Sequence, residues 1–216
     1  MKLLQKEIVL APFVLVAVLL FLSLAKVLSL HSSFFDLGIF ESLLHRIAIT
    51  NEWQQAFAGH VHWFALPYGW LYGLPPPSLA PYFLVGMQAI LLLLPSLWFY
   101  RRFGIFAAFV YVAYYPVWSN ALLDFHFDHL AVLFLLGFYW ALLSHQIGWA
   151  VVSATLLMFV KEPFALQTAA CGVLMLWVAV HRKSIWELPL ELVSQRSLLF
   201  GAVWLIGVGL GYFVFA

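Results

Sequence analysis

The run Asp124-Phe125-His126-Phe127-Asp128-His129 alternates polar and aromatic residues. On an extended backbone, side chains two apart share a side, so Asp124, His126 and Asp128 would face one way. Their oxygens and nitrogen would then suit a divalent metal ion. The competing expectation is structural, with Asp128 capping the apolar run that follows and meeting the positive end of its helix. Asp36 raises the same choice. Ser33 and Asp36 have the S-x-x-D spacing of a capping box, yet a carboxylate at the head of a helix beside a polar pocket is also a candidate catalytic acid or base. Glu41 comes five residues later, about 140° around a helix, so it forms no tight same-face pair with Asp36. Glu41 and His45, at i and i+4, are spaced to bond each other.

Two further groups stand out. Lys161-Glu162-Pro163 interrupts two apolar runs. Proline at the first position of a new helix is ordinary, and the adjacent Lys and Glu can neutralise one another. A lysine at membrane depth is equally an anchor for a lipid-linked phosphate. His60-x-His62 is either a pair of ligands or two interfacial imidazoles.

These residues need a scaffold, and composition names its solvent. The 216 residues are 65% hydrophobic and 9% charged, with mean hydropathy +1.01, against about 25% charged residues in soluble domains. The sequence therefore predicts an all-α, polytopic transmembrane bundle integral to the cytoplasmic membrane, with membrane lipids as its surroundings. A net charge of +1 and scattered basic residues exclude a nucleic-acid surface. The single cysteine, Cys171, lies in an apolar run and is read as packing.

About seven spans are expected, near residues Ile8–Leu30, Ala80–Tyr100, Phe103–Ser119, Leu130–Leu143, Ile147–Val160, Pro163–Val180 and Leu198–Ala216. The first exceeds the length of a signal-peptide core and is read as a retained helix. The whole chain, 1–216, forms one transmembrane domain, with residues 31–79 as a long extracytoplasmic loop inside it. Within that loop Leu37, Phe40, Leu44 and Ile47 mark one face of an interfacial helix. The aromatic stretch from His60 to Trp70, followed by three prolines, lies in or re-enters the interface.

Lysine and arginine set the sidedness. A cytoplasmic N-terminus places Lys2, Lys6, Arg101, Arg102, Arg182, Lys183 and Arg196 inside, and Lys26, Arg46 and Lys161 on the far side. Asp36, Glu41, Glu52, Asp124, Asp128 and Glu162 then fall outside, while Glu7, Glu187 and Glu191 stay inside. The spans 130–143 and 147–160 hold 14 residues each, about 21 Å against a hydrocarbon core of about 30 Å. With their cytoplasmic ends at the interface, Asp124 to His129 and Lys161-Glu162 sit below the outer surface and must line a cavity or pair.

The order F-D-L-G-I-F-E in the first outer loop, G-H near residue 60, D-F-H-F-D-H and V-K-E-P resembles a bacterial and archaeal membrane family, domain of unknown function 2079. That family is grouped with the GT-C membrane glycosyltransferases, and the resemblance runs from about Phe35 to Pro163. It implies an enzyme that takes a sugar from a polyprenyl-phosphate carrier on the outer face. Asp36 would be the general base or metal-coordinating acid, with Glu41 as the second acid of the first loop. Lys161 and Arg46 would meet the donor phosphate, with His60 and Glu162 in the same substrate-binding set. The sequence ends at Ala216 inside an apolar run, so a truncated relative, or one piece of an assembly with other membrane subunits, is expected. A different class remains open beside the enzyme, a non-catalytic protein that binds or helps to transport a lipid-linked substrate.

Overall fold

A computed structural model describes residues 2–29, 35–58, 60–181 and 194–215, with no side chains for residues 2–12, Phe35 and His181. Ser33, Arg182, Lys183, Glu187, Glu191 and Ala216 lie outside the described residues, as do the side chains of Lys2, Lys6 and Glu7. The regular structure described is helical throughout. The chain forms two compact units, Met1–Gln55 with Ala65–His129, and Ala56–Phe64 with Leu130–Ala216.

The first unit contains α1 (Lys2–Leu28), α2 (Phe35–Ile49), α3 (Ala65–Tyr72), α4 (Ala80–Leu93), α5 (Pro95–Phe103), α6 (Ile105–Ala113) and α7 (Tyr115–Leu122). α1 packs against α4, α6 and α7, and Leu19, Leu93, Val112 and Val117 are buried together there. α2 lies on α3 and buries Leu37, Phe40 and Leu44, the face its apolar spacing marks.

α4 and α5 run on as one helical stretch, Pro77–Phe103, because Leu94 between them keeps helical angles. Pro95 withholds a donor without breaking the path. Gly104 ends it at φ 86°, ψ −177°, a conformation that only glycine adopts without strain. The single span expected over Phe103–Ser119 is instead two pieces. α6 and α7 meet at 55° because Tyr114 is extended and Pro116 occupies the first turn of α7.

The second unit holds α8 (His129–Leu143, its first residue belonging to the other unit), α9 (Ile147–Met158), α10 (Phe164–His181) and α11 (Gln195–Phe215). α11 packs along α10 and on α9, around Phe138, Ala154, Met175, Ala202 and Leu205. Glycines permit this approach. A Cβ on Gly209 would lie 2.6 Å from the Ala165 carbonyl oxygen, and one on Gly172 would lie 2.8 Å from that of Ala202. Such small-residue contacts let helix backbones approach closely. Gly209→Val is therefore expected to cost about 1–3 kcal/mol of stability. Gly211→Ala, whose Cβ has nothing within 4 Å, should melt like the wild type, and thermal denaturation in detergent compares the two.

Two described helices, Pro77–Phe103 and Gln195–Phe215, are long and apolar enough to cross a membrane, or three if α6 and α7 count as one bent span. Shorter apolar helices cover Phe13–Leu28, His129–Leu143, Ile147–Met158 and Phe164–Val180. Both units expose large apolar side chains, among them Phe21 and Phe106 in the first and Phe200 and Val203 in the second.

Candidate functional site

The chemistry-bearing loop of the first unit, Leu123–Asp128, follows the end of α7. The last carbonyls of a helix have no partner within it, and α1 supplies donors. Ser23 Oγ donates to the Ala121 oxygen at 2.7 Å, and Lys26 Nζ donates to the Leu122 oxygen at 2.9 Å. A cation at this helix end also opposes the negative pole of its dipole. The same ammonium pairs with Asp124 Oδ1 at 3.2 Å, and the Asp124 side chain is only 5% exposed.

Gln88 of α4 holds the loop from the other side. Its side chain is 2% exposed. Nε2 donates to the carbonyls of Asn120 (3.0 Å), Leu123 (3.4 Å) and Asp124 (3.3 Å), while Oε1 accepts the His126 N–H at 2.8 Å. Phe125 and Phe127 fill the interior beneath, edge-on to Phe40 of α2.

His129 closes the loop. Its Nδ1 bonds the His126 carbonyl and its Nε2 bonds the Tyr68 hydroxyl at 2.7 Å. A carbonyl only accepts, so Nδ1 carries the proton. In the neutral ring Nε2 is then the acceptor, and the Tyr68 hydroxyl donates to it.

On this frame His126 meets Asp36. His126 Nε2 lies 3.3 Å from Asp36 Oδ2, with the side chains 35% and 41% exposed. Asp36 is thus both oriented and open to solvent. The Phe40 ring sits edge-on to His126 and backs the contact. A carboxylate with one oxygen beside an imidazole retains lone pairs to accept a proton from an incoming hydroxyl.

The remaining candidates divide by unit. Glu41 Oε1 accepts the Tyr72 hydroxyl at 3.2 Å, and the His45 ring packs edge-on against the same Tyr72. Burial, then the charge and hydrogen bond of Glu41, push the Tyr72 phenol up to about 12. Arg46 is exposed in the last turn of α2, where a cation complements the helix end. Asp128 immediately precedes α8. The metal trio expected from Asp124, His126 and Asp128 is not assembled. Asp124 turns to Lys26 and His126 to Asp36, and no three His, Cys, Asp or Glu side chains converge as a metal site among the described residues.

His60, Lys161 and Glu162 belong to the second unit. Glu162 Oε1 accepts the Val61 N–H at 2.7 Å and lies 3.7 Å from His60 Nδ1. Burial alone would raise its carboxyl. The Val61 N–H, its own N–H and the neighbouring His60 and His62 prevail and hold it below the usual carboxylate range. The depressed value fixes the sign. The stabilisation is complete above the ordinary range and is lost as pH falls through the lowered value. Glu162→Gln should cost roughly 1 kcal/mol at neutral pH, the charge-assisted part of its hydrogen bonding. Melting curves of the two forms should converge in acid, and a gap that widens there would be the wrong sign. Lys161 is half-buried and has no ion pair among the described residues.

Sequence patterns passed over Gln88, Ser23 and Tyr68. The signal was a polar residue within an apolar helix, Gln88 inside Ala80–Leu93 above all. Set against known proteins, the chain matches no protein-family model, no curated protein and no solved structure.

Proposed function

We propose that the chain is a GT-C-like membrane transferase that moves a sugar from a polyprenyl-phosphate donor at the extracytoplasmic face. In this reading the bundle crosses the membrane about seven times, with a cytoplasmic N-terminus and residues 31–79 outside. The observation that carries it is Asp36, solvent-accessible and held by His126 at 3.3 Å.

The chemistry follows from that carboxylate. Asp36 takes the proton of an acceptor hydroxyl, the freed oxygen bonds to the anomeric carbon, and the bond from that carbon to the donor phosphate breaks with its electrons leaving on phosphate. His126 positions Asp36. Cations stabilise the departing phosphate, a role for which the resemblance nominates Arg46 and Lys161. The test is to incubate the purified full chain with polyprenyl-phosphate-linked sugars. Release of polyprenyl phosphate with formation of a glycosylated acceptor is expected, and no consumption of any lipid-linked donor counts against transfer.

One observation favours a second reading. Lys161 has no carboxylate partner among the described residues, while the adjacent Glu162 engages Val61 and His60. A protein that only binds lipid-linked phosphate would lose binding in Lys161→Ala and yield no glycosylated product.

A further inference from the structure

Within the first unit, α1, α4, α5 and α6 line a cleft of about 160 Å³ that shares no wall residue with the Asp124 loop. Phe13 and Leu20 of α1, Ile90 of α4, Leu97 and Tyr100 of α5 and Ala108 of α6 form most of its wall. The space is close to that of a dry cavity that admits benzene, so it suits a few methylenes of a hydrocarbon chain and not water. Ile90, Leu97 and Tyr100 are 53%, 41% and 37% exposed, so the cleft opens outward.

Tyr100 packs against Phe13 at 6.2 Å and is followed directly by Arg101 and Arg102 in the last turn of α5. Both arginines are exposed, and neither has a carboxylate within ion-pair distance among the described residues. The Arg102 guanidinium stands 5.7 Å from the centre of the Phe103 ring. A hydrocarbon slot beside two unneutralised cations is complementary to a molecule with an apolar tail and an anionic head.

We propose that the cleft and the Arg101-Arg102 pair bind one anionic phospholipid, with an acyl chain in the cleft and the phosphate on the arginines. The inference rests on the membrane reading above, in which this end of α5 faces the cytoplasmic leaflet, where anionic lipids reside. It does not depend on sugar transfer.

The test titrates the purified full chain in detergent with phosphatidylglycerol or phosphatidylcholine and counts retained lipids by native mass spectrometry. One phosphatidylglycerol should be retained at roughly tenfold lower concentration than phosphatidylcholine. Arg101→Gln with Arg102→Gln should reduce it to the phosphatidylcholine level, and Leu97→Trp, which fills the cleft, should abolish the tightly held copy. A melting curve for each variant separates loss of the site from loss of the fold. Equal retention of the two lipids by the wild type, survival of the preference in the arginine variant, or displacement by inorganic phosphate would each overturn the proposal. Release of the chain from membranes by alkaline carbonate would sink the membrane reading instead. A chain that stays in the membrane but shows no lipid preference fails on this site alone.

Discussion

Asp36→Asn is expected to lower sugar transfer from a polyprenyl-phosphate donor by about a hundredfold to ten-thousandfold, the usual contribution of a positioned general base. The amide keeps the size of the carboxylate and can still accept from His126, but it takes up no proton from a hydroxyl. Because Asp36 is 41% exposed and sits in the first turn of α2, folding should suffer little. The lost interaction with the helix end amounts to about 0.3–1 kcal/mol. Kinetics and a melting curve on the same preparation separate the two effects. Wild-type turnover in the variant would remove Asp36 from the chemistry.

Lys26→Met is expected to cost about 1–3 kcal/mol, because it removes the cation from a buried carboxylate in a pair that is itself only part-buried. Asp124 is 5% exposed and would lose its cation, while the Leu122 carbonyl would lose a donor. The loss should appear as a lower melting temperature in detergent. Combining Lys26→Met with Asp124→Leu should recover most of it, since no charge is then left in the interior. A single variant as stable as the wild type would mean that the pair does not hold α1 to the loop.

The helical class and the buried face of α2 were legible because each is a local pattern. Leu37, Phe40, Leu44 and Ile47 recur at helical spacing; the first three are buried and Ile47 is half-buried. The alternation in Asp124 to His129 set Asp124, His126 and Asp128 on one side, yet Asp124 is buried along with Phe125 and Phe127. It did not foretell where the polar residues would turn. Their partners are Lys26 and Asp36, distant in sequence, and tertiary packing brings them there. The spacing that suggested three metal ligands therefore resolves into two separate contacts, Asp124 with Lys26 and His126 with Asp36. The bend between α6 and α7 was missed for another reason. An apolar run of this length reads as one span, and Pro116 was not weighed as a break. Gln88 was missed because one amide in a long apolar helix makes no pattern, although its hydrogen bonds shape the loop. Glu162 was read beside Lys161, its neighbour in sequence, whereas its hydrogen bond goes to Val61.

The central claim is that Asp36 and His126 work as one centre, and a double-mutant cycle on donor turnover tests it most directly. Asp36→Asn, His126→Gln and the double variant would be compared with the wild type at saturating donor. If His126 acts by positioning Asp36, its own substitution lowers turnover and the double variant is no slower than Asp36→Asn alone. Losses that multiply would contradict a shared centre, as would a His126→Gln variant that turns over at the wild-type rate.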